Sequence, residues 1–344
     1  MLRANRHRFL FVLIIFALIT ATSVRAQGGG QGQGAQAAPD APNPYIPPPY
    51  RLVPNWPPPD PNLKWGSVIR AFPDAQDNIW VFHRGSPPIV KLDGRTGKVL
   101  ASMGTGMFAG PHGFTIDDEG NLYATDCPLG PGTDEALVKA GKGYQLFKMS
   151  PDGTVLMTLG KAGVSKPGRD TFVCPTGVAV AANGDIFVTD GHDNAPTHYG
   201  DRVAKFSKDG KFIKDVATSG SLPGQVWQPH DITIDSQGRL FIADRSNNRV
   251  EIMDQDGNFI DIWRQFSRPS GIYVDKKNDT LYVGNSERYP DWPLGIRIGS
   301  VKTGAVKFFI PDTAPEGISV DSKGNIYGSV QSRQRLEKYE RVTN

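Results

Sequence analysis

The sequence predicts an all-β domain, a six-bladed β-propeller, preceded by a signal peptide and a disordered linker. Three observations carry that expectation. The phrase GPHGFTIDDEGNLYATDC at 110–127 is echoed by QPHDITIDSQGRLFIAD at 228–244, and further copies lie about 40 to 64 residues apart. That spacing suits propeller blades and far exceeds any heptad or helical-solenoid period. Within each copy, apolar and polar residues alternate with period two on both sides of a Gly-containing turn, which is the pattern of a β-hairpin.

Residues 1–26 read as a signal peptide. Arg3, Arg6, His7 and Arg8 make a positive start, Phe9 to Ile19 is an apolar run short for a bilayer span, and Val24-Arg25-Ala26 supplies small residues before a cut. An uncleaved anchor is the other reading of this stretch. Residues 27–49 are rich in Gly, Gln, Ala and Pro with almost no charge, a composition that cannot bury apolar surface and behaves as a tether. The propeller then occupies 50–344, about 295 residues. A formal net charge of +3 is dispersed, without a basic run, which argues against nucleic acid as a partner. The expected location is secreted or periplasmic, with no stable membrane insertion after processing, and a monomer is expected.

Alignment on the residue after proline gives His112, Thr176 (in CPTGVAVAANGDIFVTD), His230, Ser270 (in RPSGIYVDKKNDTLYVGN) and Glu316 (in APEGISVDSKGNIYGSV). A degenerate copy, GSVIRAFPDAQDNIWVFHR, puts Ile69 at the same place. Downstream of each hairpin lies a second strand pair with its own turn, as in KFSKDGKFI, EIMDQDGNFI and LFKMSPDGTVL. Four strands in each of six copies close into a ring without long open edges. The stretch from Tyr50 to Asn55 is expected to complete the last blade.

The aligned residue begins the innermost strand, and a residue about 15 positions later returns to the same mouth. His230 and Arg245 form such a pair, and Arg84 is the first blade's equivalent of Arg245. His112, His230 and Glu316 belong to alternate blades, roughly 120° apart in a six-fold ring. Two imidazoles and a carboxylate converging on an axis suit zinc or another divalent cation. Each histidine could instead bond a neighbouring backbone group, and Glu316 could simply be solvated. Arg84 and Arg245 suit a substrate carboxylate, or inter-blade ion pairs. Cys127 and Cys174 should reach the same rim of neighbouring blades, and in an exported chain they are expected to form one disulfide. Long inserts on that rim nominate His192, His198, Tyr199, Tyr289 and Trp292 as pocket walls.

Hairpins of the form Pro-x-Gly/Asp followed by Gly-Asn-(Leu/Ile)-Tyr-x-x-Asp resemble NHL repeats. Over almost the whole folded region the chain resembles the peptidyl-α-hydroxyglycine α-amidating lyases. The matching segments are Phe-His-Arg-Gly at 82–85, Pro-His-Gly at 111–113, Cys-Pro-Thr at 174–176, Pro-His-Asp at 229–231 and Ala-Asp-Arg at 243–245. The resemblance implies a zinc ion in the channel, His112 and His230 as its ligands, and Arg84 and Arg245 in substrate binding and catalysis. It also implies carbon–nitrogen lyase chemistry, cleavage of a hydroxyglycine at N–Cα to an amide and glyoxylate, on a small peptide or hydroxyglycine-like substrate. Two departures stand out. Where the family has Met-Pro-His-Asp, this chain has Ala314-Pro315-Glu316-Gly317, which exchanges a zinc ligand for carboxylate and removes the acidic residue associated with a structural calcium. Where the family has a catalytic tyrosine in Asp-Gly-Tyr, this chain has Asp190-Gly191-His192, with Tyr199 further on, so His192 or Tyr199 is the expected base. The other function classes the sequence allows are a non-catalytic propeller that binds peptide or glycan at the cell envelope, and a sugar-acid lactonase, which would prefer calcium.

Overall fold

A computed structural model of the chain describes residues 46–192, 200–290 and 292–342. These form six antiparallel sheets, five of them built wholly from sequence-adjacent strands, with a short fifth strand, Gln225–Val226, added in parallel to the third. The innermost strands are Val68–Pro73, Pro111–Ile116, Pro175–Val180, Pro229–Ile234, Gly271–Asp275 and Gly317–Val320. Each packs on the next, and the last packs on the first, so the ring is closed. The predicted export signal lies outside the described residues. Among the described residues no helix is long and apolar enough to cross a membrane.

The hairpin turns follow from the repeated Asp-x-x-Gly. Asp117 Oδ1 accepts from the Glu119 and Asn121 amides, and Asp235 and Asp321 do the same for the equivalent residues of their blades. Gly120, Gly238 and Gly324 follow with φ of 85°, 81° and 84°, the left-handed conformation that glycine adopts without a steric penalty. At the far end of each hairpin a buried carboxylate or amide fixes the approach to the inner strand. Asp126 accepts from Ala109 and Gly110, Asp190 from Cys174 and Asp244 from Trp227, while Asn285 donates to Phe266 and Arg268.

The apolar residues of the alternation fill the wedges between blades. Phe241, Val250 and Ile252 of the fourth blade meet Ile272, Val274 and Leu281 of the fifth, all buried. The strand Tyr50–Leu52 pairs with Arg335–Arg341, so the sixth blade takes its outermost strand from the beginning of the folded region, as expected. Cys127 and Cys174 are disulfide-bonded with Cα atoms 4.9 Å apart, tying the second blade to the third. The insert after Cys127, read as a loop, contains a one-turn helix, Glu135–Lys139, capped by the Asp134 carboxylate.

Candidate metal centre and carboxylate-binding mouth

The residues aligned after proline do form one layer at one end of the channel, and each leans on the next blade. The Nδ1 of His112 donates to the Thr176 carbonyl at 2.8 Å, and the Thr176 hydroxyl donates to the Pro229 carbonyl at 2.6 Å. His230 Nδ1 then donates to the Ser270 carbonyl at 2.9 Å, and the Ser270 hydroxyl meets that of Ser286 at 2.7 Å. Ser286 donates to Glu316 Oε2 at 2.5 Å. Arg70 takes up the Glu316 carbonyl at 2.5 Å, and Arg84 Nε donates to the Pro111 carbonyl at 3.1 Å, which completes the circle.

These bonds settle the tautomers. A ring that donates through Nδ1 to a carbonyl keeps its lone pair on Nε2, the form that ligates metals. His112 and His230, 2% and 0% exposed, are both held in that form. Burial is the main cause that depresses the pKa of both. For His112 the neighbouring imidazoles add to the effect; for His230 Arg245 adds to it and Glu316 opposes it.

His192 is the third imidazole. Its ring centroid is 5.3 Å from that of His112 and 5.2 Å from that of His230, and those two are 4.8 Å apart. Ligand atoms of the three lie within 4.8 Å of one another. Burial and then Arg245 depress the His192 pKa. Arg245 Nη2 donates to its Nε2 at 2.7 Å, so His192 carries its proton on Nδ1, a buried atom without a partner.

Glu316 takes a different place from the one the alternate-blade argument gives it. It is not in the three-imidazole group; its Oε1 lies 3.0 Å from His230 Nε2 and 4.0 Å from Arg245 Nη1. Burial would raise its pKa, but His230, Arg245 and the Ser286 hydroxyl outweigh burial and hold it well below the usual range. A carboxylate oxygen and an imidazole nitrogen 3.0 Å apart need a positive charge between them, either a proton on Nε2 or a shared cation. A divalent cation shared by the three imidazoles supplies such a charge, and the two bare Nε2 atoms with an adjacent carboxylate are a donor set that fits it. Calcium, which takes oxygen ligands, fits poorly.

Arg84 and Arg245 flank this group from opposite blades. Arg84 is anchored to the Pro111 and Pro131 carbonyls. Arg245, 4% exposed, meets His192, Glu316 and, at 3.3 Å, Glu287. Glu287 is 46% exposed at the mouth and also accepts two bonds from Arg268 at 2.8 and 2.9 Å. Sequence reasoning missed Glu287, Ser286 and Arg70. Tyr199 and His198 lie outside the described residues. Tyr289 and Trp292 face each other in a small bridge on the fifth-blade insert, with Trp292 stacked against Arg297.

A cavity of about 750 Å³ lies apart from this centre. It opens at the other mouth of the channel, among Phe114, Ile116, Val178, Ile232 and Val274, and ends on Arg70 and Asp231.

Comparison with known proteins gives a consistent picture. Residues 172–195 and 226–253 match the NHL repeat family. Peptidyl-glycine alpha-amidating monooxygenase B of Xenopus laevis is 30% identical over 312 residues, 77% of this chain and 33% of that protein. Peptidyl-alpha-hydroxyglycine alpha-amidating lyase 2 of Drosophila melanogaster is 32% identical over 228 residues, 58% of this chain and 50% of that protein. The chain thus spans a third to a half of these relatives. Among solved structures, a Xanthomonas campestris gluconolactonase superposes with a TM-score of 0.56 at 14% identity, covering 80% of this chain and 86% of that one, a likeness of fold alone.

Proposed function

We propose, from the premise that this chain is an NHL-repeat propeller related to the peptidyl-α-hydroxyglycine α-amidating lyases, that it is an exported, metal-dependent carbon–nitrogen lyase. The reaction would release an amide and glyoxylate from a hydroxyglycine-like substrate. The observation that carries this reading is the meeting of three imidazoles with two arginines from opposite blades at one mouth.

His112, His192 and His230 would hold the ion, zinc by the chemistry of the donors, with Glu316 beside them. When bound, the ion would polarise the substrate hydroxyl and lower its pKa. The chain's own residues do the rest. Arg84 and Arg245 offer planar guanidiniums to the substrate carboxylate, which would compete with Glu287 for Arg245. Because Arg245 also donates to His192 Nε2, a carboxylate that draws Arg245 away frees that nitrogen. In the tautomer Arg245 selects, His192 Nδ1 bears a proton, so it is a donor and not a base until that bond is exchanged. Removal of the hydroxyl proton would then fall to His192, once that bond is exchanged, or to Tyr199. The disulfide, a bond that persists in oxidising compartments, together with the composition of residues 1–26, supports export.

The test is metal analysis of the purified protein followed by assay of glyoxylate from a hydroxyglycine-terminated peptide. One equivalent of divalent metal and metal-dependent glyoxylate release are expected. A folded protein with neither is a binding propeller for peptide or glycan.

A further inference from the structure

One residue past the aligned layer, the six inner strands carry Arg70, Gly113, Gly177, Asp231, Gly271 and Gly317. Four of the six are glycine, and the two that are not stand on the first and fourth blades, opposite each other across the channel. There they form an ion pair, Arg70 Nη2 to Asp231 Oδ2 at 3.5 Å, with side chains only 3% and 11% exposed. The glycines make the room. A Cβ at Gly317 would meet the Ile69 carbonyl oxygen at 2.4 Å, Arg70 Cδ at 2.7 Å and Arg70 Nη1 at 2.9 Å. A Cβ at Gly177 would lie 2.8 Å from Asp231 Cα. None of these four has a positive φ, so the requirement is space.

The guanidinium is bound to main chain more than to its ion partner. Nη1 donates to the Glu316 carbonyl at 2.5 Å and to its own neighbour Ile69 at 3.1 Å, and Nη2 donates to the His230 carbonyl at 3.3 Å. Two of these three carbonyls belong to residues of the metal-capable centre, on the fourth and sixth blades. Asp231 also accepts from the Ile272 amide at 2.9 Å, which ties in the fifth. One side chain from the first blade thus sets the main chain from which His230 and Glu316 project, and with Asp231 it closes the channel between the centre and the large cavity behind it.

We propose that Arg70 is a positioning residue for this centre, a strut across the propeller axis that sets the His230 and Glu316 backbones and acts through them on the bound ion. The proposal rests on the metal-dependent reading only for its second readout. The first is the ring 15N spectrum of histidine-labelled, metal-free protein, and the second is titration with Co²⁺. In R70M the His230 ring resonances should move, and Co²⁺ should bind about 10- to 100-fold more weakly, the range seen when groups behind the ligands are removed. R70K, which keeps the charge but not the planar fork, should recover thermal stability more than Co²⁺ affinity. G317A, which crowds Nη1 while leaving Arg70 in place, should shift both readouts in the same direction as R70M and covers the case in which R70M fails to fold. A folded R70M or G317A with unmoved His230 resonances and wild-type Co²⁺ affinity would overturn the proposal and leave Arg70 as a plug alone. If the wild-type protein binds no Co²⁺, the lyase reading fails, and the 15N shifts still decide the strut.

Discussion

The second and sixth blades place His112 and Glu316 at the same step of the same hairpin, and the two side chains end in different roles. His112 uses one nitrogen on the Thr176 carbonyl of the following blade and keeps the other bare. Glu316 has no N–H to give, so it cannot repeat that contact. It turns its oxygens to His230 and Ser286, and Arg70 supplies the donor that the ring lacks at that joint. The third imidazole comes instead from His192, two residues past Asp190 and outside the repeat register. An equivalent backbone position determines where a side chain starts; its donors and acceptors decide where its reactive atom comes to rest.

The comparison can be broken most forcefully at its histidine side. H112A and H230A each remove a bare Nε2 from the centre, and both should lose stoichiometric metal and glyoxylate release together. A variant that kept both would remove His112 or His230 from the ligand set. Next comes the glutamate side. E316Q keeps the shape but removes the charge beside His230 and should weaken metal binding by about 10- to 100-fold, measured by competition with a chelator. Metal affinity unchanged in E316Q would make Glu316 a purely structural partner of Ser286.

Two further tests separate the centre from the ring that carries it. The disulfide closes a loop with a sequence separation of 47, so C127S/C174S should lower stability by about 4 kcal/mol on the loop-entropy account while metal content stays at the wild-type level. The smallest effect concerns the buried aspartates at the hairpin ends. Burial pushes Asp244 up to about 7 and Asp126 up to about 6 from an ordinary 3.8, against the opposing bonds from Trp227 and Arg249 and from Gly110 and Ala109. A carboxyl whose folded pKa is raised contributes stability that is full below the unfolded value and is lost as pH rises through the folded one. Their share of stability should therefore fall between about pH 4 and pH 7, and D244N should flatten the dependence of Tm on pH across that window.

Much of the ring was legible because its determinants are local. Period-two alternation with a Gly turn specifies a hairpin wherever it occurs, and counting hairpins yields six blades. The pairing of Cys127 with Cys174 and the docking of Tyr50–Leu52 on the last blade followed from the same count. The centre was legible only as far as the register reached. His112, His230, Arg84 and Arg245 come together because they share hairpin positions. Glu287 and the ligand-distance placement of His192 depend on inserts whose path no repeat specifies. Arg70 had a signal that went unused: it is the lone cation at a position where four copies have Gly and one has Asp, hidden in the degenerate first copy. The one-turn helix after Cys127 was likewise announced by the Asp-Glu start of its first turn.

Because the outermost strand of the sixth blade is Tyr50–Leu52 and its partner is Arg335–Arg341, the two ends of the fold are stitched to each other. During synthesis the early strand must wait, unpaired, until nearly the whole chain has left the ribosome, so the circle cannot lock one blade at a time. Proteolytic clipping near either terminus would open the same seam, and a circular permutant that joined the termini and was cut at a turn elsewhere would move it.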